Sequence, residues 1–166
     1  MSSQETFVSL LKTHQNIVHK VCNLYMDRHS EREDLFQEIT LQAWKAFPSF
    51  RGDAKFSTWL YRVALNTAIT FYRKEKRSPQ IYTSDLLPDT ISEDGFDPIE
   101  MQLKAMYAAI GELSKIDKAI VMLYLEDYPY QDIGEMMGIT ANNVAVKMNR
   151  IKTKLKEEAK KQLEQS

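Results

Sequence analysis

Apolar side chains recur at helical spacing from about residue 4 to residue 77, with a break around PSFRGDAKF at 48–56. The pattern then stops, resumes near Pro98 and runs almost to the end of the chain. Strict alternation of apolar and polar positions, the mark of a half-buried strand, is scarce, so an all-α protein is expected. Between the helical stretches lies SPQIYTSDLLPDTISEDGFDPIE, 78–100. It holds three of the five prolines and six acids (Asp85, Asp89, Glu93, Asp94, Asp97, Glu100), with no Lys or Arg. Proline together with one sign of charge describes a tether rather than a packed element. The expected layout is two small helical domains, 1–77 and 101–166, joined by an acidic linker at 78–100.

One helix of the first domain does not sort cleanly into two faces. In REDLFQEITLQAWKAF, 32–47, helical spacing puts Leu35, Ile39, Ala43 and Phe47 on one side. The other side carries Asp34, Gln37, Glu38, Leu41 and Lys45. Leu41 therefore sits inside the polar stripe, with Trp44 one turn further on. A helix that only fed a core would place a polar residue there.

Downstream, FRGDAKFSTWLYRVALNTAITFYRKEKR mixes aromatics with cations. Phe56, Trp59, Leu60, Val63 and Ala64 share one helix face, while Arg62, Asn66, Arg73, Lys74 and Arg77 supply polar and basic positions. Tyr61, Phe71 and Tyr72 are interleaved among them. Aromatics beside cations suit a surface that stacks on unpaired bases while tracking phosphate. A packed core with a solvated basic rim gives the same pattern, and for Phe56 and Trp59 the core is the expectation.

The second domain carries a helix-turn-helix pattern. A short helix from Tyr130 to Met137 should end at Gly138, which can adopt the left-handed conformation of a tight turn. Thr140 can then cap a helix beginning near Ala141. Gly134, Gly138 and Val144 fall where two crossing helices need a small residue, a turn and a buried aliphatic. On the second helix Val144, Met148, Ile151 and Leu155 form an apolar stripe. Asn142, Val146, Asn149, Arg150 and Thr153 face away, with Asn143, Lys147 and Lys154 along one flank. Asn and Arg can bond base edges in pairs, and Lys suits phosphate. Val146 in that face reads either as a contact to a thymine methyl or as an incidental surface aliphatic. Upstream, Ser114 should cap a bracing helix whose Leu113, Ile120, Leu123 and Tyr124 point inward.

Composition adds less than distribution does. Hydrophobic content of 43% can fill packed cores, and the net charge of −1 says nothing about nucleic acid. Yet residues 51–77 contain seven Lys/Arg against two acids, and residues 147–161 repeat that ratio. Two cationic segments are the footprint of a chain that touches a polyanion twice, although basic helix ends also complement the helix dipole. The single cysteine, Cys22, excludes an internal disulfide and a zinc cluster, and its apolar setting makes it a small buried hydrophobe. No stretch approaches the ~20 apolar residues of a membrane span, and a cytoplasmic protein without membrane insertion is expected.

REDLFQEITLQAWKAFPSF…FSTWLYRVALNTAITFYRKEKR closely resembles region 2 of bacterial RNA polymerase sigma factors. LSKIDKAIVMLYLEDYPYQDIGEMMGITANNVAVKMNRIKTKLK resembles their region 4. With no room for a region-3 domain, the chain resembles the extracytoplasmic-function (ECF) group. The resemblance implies that Asp34, Gln37, Glu38 and Leu41 dock on the β′ clamp coiled coil of core RNA polymerase, with the β flap as a second contact. It implies that the loop 48–55, with Phe50, Arg51 and Lys55, captures a flipped base of the −10 element. The helix carrying Trp59, Arg62, Asn66 and Arg73 would hold the opened strand. For the −35 element it implies Thr140, Asn142, Asn143, Ala145, Val146, Lys147, Asn149, Arg150 and Lys154. The acidic linker would thread polymerase channels that later hold RNA, and an anti-sigma factor is an implied partner. Four positions depart from the family. Thr70 stands where an acid is usual, Ala145 and Val146 where DNA contacts often lie, and Gly134 where alanine is common.

Two other function classes leave weaker marks. A stand-alone helix-turn-helix regulator would need a sensory domain, and residues 1–77 show no strand pattern to carry a phosphoacceptor. An enzyme would rest on His14, His19 and His29, which no triad, phosphate loop or metal spacing accompanies. Neither enzymatic activity nor a cofactor or metal is expected.

Overall fold

The structure is a computed structural model that describes residues 2–74 and 97–164, without the side chains of residues 72–74 and 162. The chain divides into two compact units, Met1–Gln80 and Ile81–Ser166, and the described residues contain helices and no strand. Of the tether at 78–100, residues 78–96 lie outside the described residues. Asp97 caps a helix that starts at Pro98, so helix reaches into the tether's last three positions.

The first unit is a three-helix bundle. Helix α1 (Ser3–Tyr25) starts where Ser2 Oγ accepts the Glu5 N–H at 3.1 Å. Helix α2 (His29–Ala46) follows a short bend that Arg32 ties down, its Nε donating to the Met26 carbonyl at 2.9 Å. A 3₁₀ turn at Phe47–Ser49 and an exposed loop lead into α3 (Phe56–Lys74). All three helices pack on one another. Their shared interior is Val18 and Val21 of α1, Leu35, Ile39 and Ala43 of α2, and Leu60, Ala64 and Ala68 of α3, all fully buried. Each buried Leu, Ile or Val contributes about 1.5–3 kcal/mol, and the alanines let the helix backbones approach. Cys22 belongs to this interior, and burial pushes its thiol pKa up to about 12.

The second unit comprises α4 (Pro98–Gly111), α5 (Lys115–Leu125), α6 (Tyr130–Met137) and α7 (Ala141–Glu164). Asp97 and Ser114 cap α4 and α5 by accepting the Ile99 and Asp117 N–H groups. Helix α7 is the spine, packing against each of the other three. Ala109, Ile120, Leu123, Ile133, Val144, Met148 and Ile151 close the core. Tyr124 departs from the sequence expectation: it is 38% exposed rather than inward. Its ring lies 6.2 Å from that of Tyr130, and Lys152 Nζ sits 5.1 Å over it. The apolar stripe of α5 turns Ile120 and Leu123 inward, and Tyr124 at its edge stays at the surface with a cation over its ring.

Candidate polymerase and nucleic-acid interfaces

Helix α2 has two apolar sides. Leu35, Ile39 and Ala43 are fully buried, whereas Leu41 and Trp44 are 44% and 40% exposed. Trp44 and Leu41 line an open groove between α1 and α2 with Gln4, Phe7, Val8, Phe36, Gln37 and Thr40. Phe7, buried beneath it, holds the Trp44 ring at 5.2 Å. The four residues expected to act together on this helix are divided by the structure. Gln37 and Leu41 face the groove, and Asp34 is exposed outside its lining. Glu38 instead accepts from Gln42 Nε2 at 3.1 Å and lines a separate cleft with Asn66, Thr67, Thr70 and Phe71 of α3. Val8 and Trp44 were missed by sequence reasoning. Trp44 shares a helix flank with Leu41, which was a usable signal, but nothing in the sequence places Val8 of α1 beside it.

The loop after α2 is anchored at its start and exposed from Arg51 to Lys55. Ser49 Oγ donates to the Ala46 carbonyl at 2.6 Å, and Phe50 folds back into a nest of rings. Its centroid lies 6.1 Å from Phe47, 5.6 Å from Phe56 and 5.3 Å from Trp59. Arg51 through Lys55 are exposed, and Gly52 has φ +79°, a conformation that disfavours any side chain. Phe50 and Trp59 are thus brought together, half-buried, at the foot of a loop that presents Arg51 and Lys55. Arg62 and Asn66 continue the Trp59 face of α3 and are exposed. Thr70 Oγ1 donates to the Asn66 carbonyl at 2.9 Å, so the position where an acid is usual is occupied by a back-bonded hydroxyl. The backbone of Arg73 lies in α3, and its side chain lies outside the described residues. Tyr61 corrects the sequence reading: only 3% exposed, it belongs to the core and cannot stack on a base. Two neighbours in sequence on a helix point about 100° apart, so Tyr61 follows Leu60 inward while Arg62 turns to solvent.

The turn between α6 and α7 is held by local chemistry. Gly138 adopts φ +77°, and the Ile139 N–H donates to the Gly134 carbonyl at 2.9 Å. Thr140 Oγ1 accepts the Asn143 N–H at 3.0 Å and caps α7. A Cβ at Gly134 would lie 2.6 Å from the Ile139 oxygen and 3.2 Å from the Ala141 nitrogen, so only glycine lets the two helices close on each other unstrained. On α7, Asn142, Asn143, Val146, Asn149, Arg150 and Lys154 are exposed, and Ala145 and Lys147 are half-buried. The two halves of α7 differ. Its last turns are built from Lys, Glu, Ala, Gln and Leu, which all favour helix. The face of its first turns that looks away from the core stripe carries Asn142, Asn143, Val146, Asn149, Arg150 and Thr153, beside the exposed Lys152. Asn, Val and Thr there each cost up to about 0.7 kcal/mol relative to Ala. That face has not been chosen for helix stability.

The histidines are engaged in packing or surface pairs. His14 Nδ1 lies 2.9 Å from the Leu10 carbonyl, His19 packs on Phe36 with centroids 4.8 Å apart, and His29 pairs with Glu33 at 2.9 Å. Among the described residues, no group of three or more His, Cys, Asp or Glu could hold a metal ion. Nor is any described helix long and apolar enough to cross a membrane.

The family model for Sigma-70 region 2 matches residues 10–78, and that for Sigma-70 region 4 matches residues 103–155. Full-length relatives are ECF RNA polymerase sigma factors. The chain belongs to the ECF sigma factors. It is an alternative sigma factor for transcription initiation. It is 24% identical over 159 residues to SigW of Bacillus subtilis, covering 89% of this chain and 85% of that one. With the sigma-E factor of Haemophilus influenzae it shares 29% identity over 161 residues, covering 89% and 84%. Two solved structures share the sigma factor's fold. The Bartonella quintana sigma factor RpoE, in complex with the anti-sigma factor NepR, aligns at a TM-score of 0.71 and 19% identity, covering 94% of this chain and 98% of that one. CnrH, in complex with the cytosolic domain of CnrY, aligns at 0.63 and 18%, covering 93% and 87%.

Proposed function

We propose that this sigma factor engages core RNA polymerase through the α1–α2 groove and promoter DNA through two further faces. The observation that carries the polymerase contact is Leu41, an exposed leucine on a helix whose Leu35 and Ile39 are fully buried. With Val8 and Trp44 it forms a continuous apolar strip, and Gln37 and Asp34 supply a polar rim, the anatomy of a protein-docking surface. Glu38, turned toward Asn66, belongs with the strand-holding side of the first unit. There Arg51 and Lys55 of the loop, with Trp59, Arg62, Asn66 and Arg73 of α3, receive the opened −10 strand. Unstacking the captured base costs a few kcal/mol, which ring stacking and phosphate contacts offset. Phe50 supports the ring nest beneath that loop.

In the second unit Thr140, Asn142, Asn143, Val146, Asn149, Arg150 and Lys154 of the helix-turn-helix face the major groove of the −35 element. Ala145 and Lys147, half-buried, form its edge. The units are assigned as 1–77 and 98–166, α4 taking up the last three positions of the 78–100 stretch, with the acidic tether between them passing through polymerase. An anti-sigma factor is a further partner, a reading supported by the complex of Bartonella quintana RpoE with NepR. Sigma factors as a class direct a polymerase rather than catalyse a reaction, and the protein acts on the cytoplasmic side, where polymerase and promoter are.

The test adds the purified protein to core RNA polymerase and a promoter library and scores run-off transcripts. Specific initiation that requires both components is expected. Unaided duplex binding without initiation would identify a stand-alone regulator instead. Leu41→Ala and Asp34→Ala should weaken polymerase binding with the fold intact. Asn149→Ala and Arg150→Ala should lower promoter affinity by about 1–3 kcal/mol where the side chain reads a base.

A further inference from the structure

Val146 is the centre of the exposed row on α7. One turn before it stand Asn142 and Asn143, one turn after it Asn149 and Arg150, and all four are exposed. Val146 itself is 39% exposed, and none of the other large exposed apolar residues of the second unit lies within a turn of it on α7. Along α7 it therefore extends no apolar patch. It is an isopropyl group ringed by amides and a guanidinium, and the amides themselves give up helix propensity.

The chemistry of the major groove explains such a ring. Base edges there present hydrogen-bond donors and acceptors, which amides and guanidinium match, and one apolar feature, the thymine C5-methyl, which they do not. A branched aliphatic side chain is what that methyl requires. Asn beside it can bond N6 and N7 of adenine in pairs. Resting on the reading that this half of α7 enters the −35 major groove, we propose that Val146 is a specificity determinant that reads a thymine methyl, so that an A·T pair occupies the centre of the recognised element. A helix rises ~1.5 Å per residue, which puts Val146 about 6 Å along the axis from both Asn142 and Arg150. The thymine then lies within about two base pairs of the positions those side chains read.

Deoxyuridine tests this, because it differs from thymine only in lacking the methyl. The full chain is assembled with core polymerase, and a promoter is selected from a library randomised over the −35 element. Each thymine of the selected duplex is then replaced singly by deoxyuridine, and holoenzyme affinity is measured for the unaltered protein and for Val146→Ala. One replacement should weaken binding about fourfold, the value of one buried methyl group. Val146→Ala should bind the thymine duplex about as weakly and be indifferent to that replacement. Alanine favours helix at this exposed position, so a thermal melt should show the fold retained. Equal sensitivity to deoxyuridine with valine and with alanine, or no sensitivity at any thymine, overturns the proposal. Arg150→Ala separates the causes. If it lowers affinity while the Val146 cycle is additive, the DNA-facing helix stands and the thymine contact falls. If it changes neither affinity nor the selected sequence, the reading of the whole face fails.

Discussion

Leu41 and Val146 are both exposed aliphatics ringed by polar neighbours, one on each unit, yet the structure gives them different company. Across the α1–α2 seam Leu41 is joined by Val8 and Trp44, with Phe7 packed underneath, into a continuous strip. Val146 stands alone among Asn142, Asn143, Asn149 and Arg150. Contiguous apolar area suits a protein partner, because its favourable burial grows with the area removed from water. An isolated methyl-bearing group amid amides suits a base edge, where hydrogen bonds specify and one methyl discriminates. The same anomaly in the hydrophobic pattern thus leads to two kinds of partner, and the neighbours decide which.

The largest effect that sharpens this contrast lies within α2 itself. Leu35→Ala should destabilise the first unit by about 2–5 kcal/mol, since it empties a fully buried site. Leu41→Ala should change stability by no more than about 0.5 kcal/mol. Both tryptophans, Trp44 and Trp59, lie in the first unit, so urea unfolding followed by tryptophan fluorescence reads that unit directly. Equal losses from the two substitutions would break the two-sided reading of α2.

A smaller effect is expected at Gly134, where an added methyl group meets the Ile139 carbonyl at 2.6 Å. Gly134→Ala should destabilise the second unit by about 1–3 kcal/mol and weaken promoter binding, while polymerase binding through the groove persists. Circular dichroism melts beside a pull-down with core polymerase would show whether the two faces part in this way. Thr140→Ala removes the cap of α7 and should cost about 1 kcal/mol, with Thr140→Ser close to neutral.

The smallest effect touches neither face. Burial holds the Cys22 thiol protonated in the folded chain up to about pH 12, against an ordinary value of 9.0. Above pH 9 the unfolded chain sheds that proton and the folded chain does not, so stability falls as pH rises. The loss should remain under about 1 kcal/mol by pH 9.5, and Cys22→Ala should flatten the slope in denaturant titrations between pH 9 and 10. Burial also raises the pKa of the Tyr25 hydroxyl, which adds to the same alkaline trend.

Legibility in the sequence followed the range of the interaction. The limits of α6, the left-handed Gly138 and the Thr140 cap were readable because each depends on residues within one turn of chain. So was the division of α2 into a buried stripe and an outlying Leu41. Tyr61 and Tyr124 went the other way for one reason. Periodicity locates the apolar side of a helix, whereas the fate of a residue at the edge of that side depends on which neighbour covers it. A packed bundle covers Tyr61, whereas only a lysine from α7 lies over the half-exposed ring of Tyr124.

Side-chain spacing and residues close along the chain set the helices, the Ser114 and Thr140 caps and the row of amides on α7, and with them the family resemblance. Packing between helices put Val8 beside Leu41 in the groove and turned Glu38 from it toward the cleft with Asn66. Packing likewise set Phe50 against the rings of Phe47, Phe56 and Trp59. Each of these depends on two helices meeting side by side, and the partner across such a seam is chosen by packing, which local periodicity does not encode.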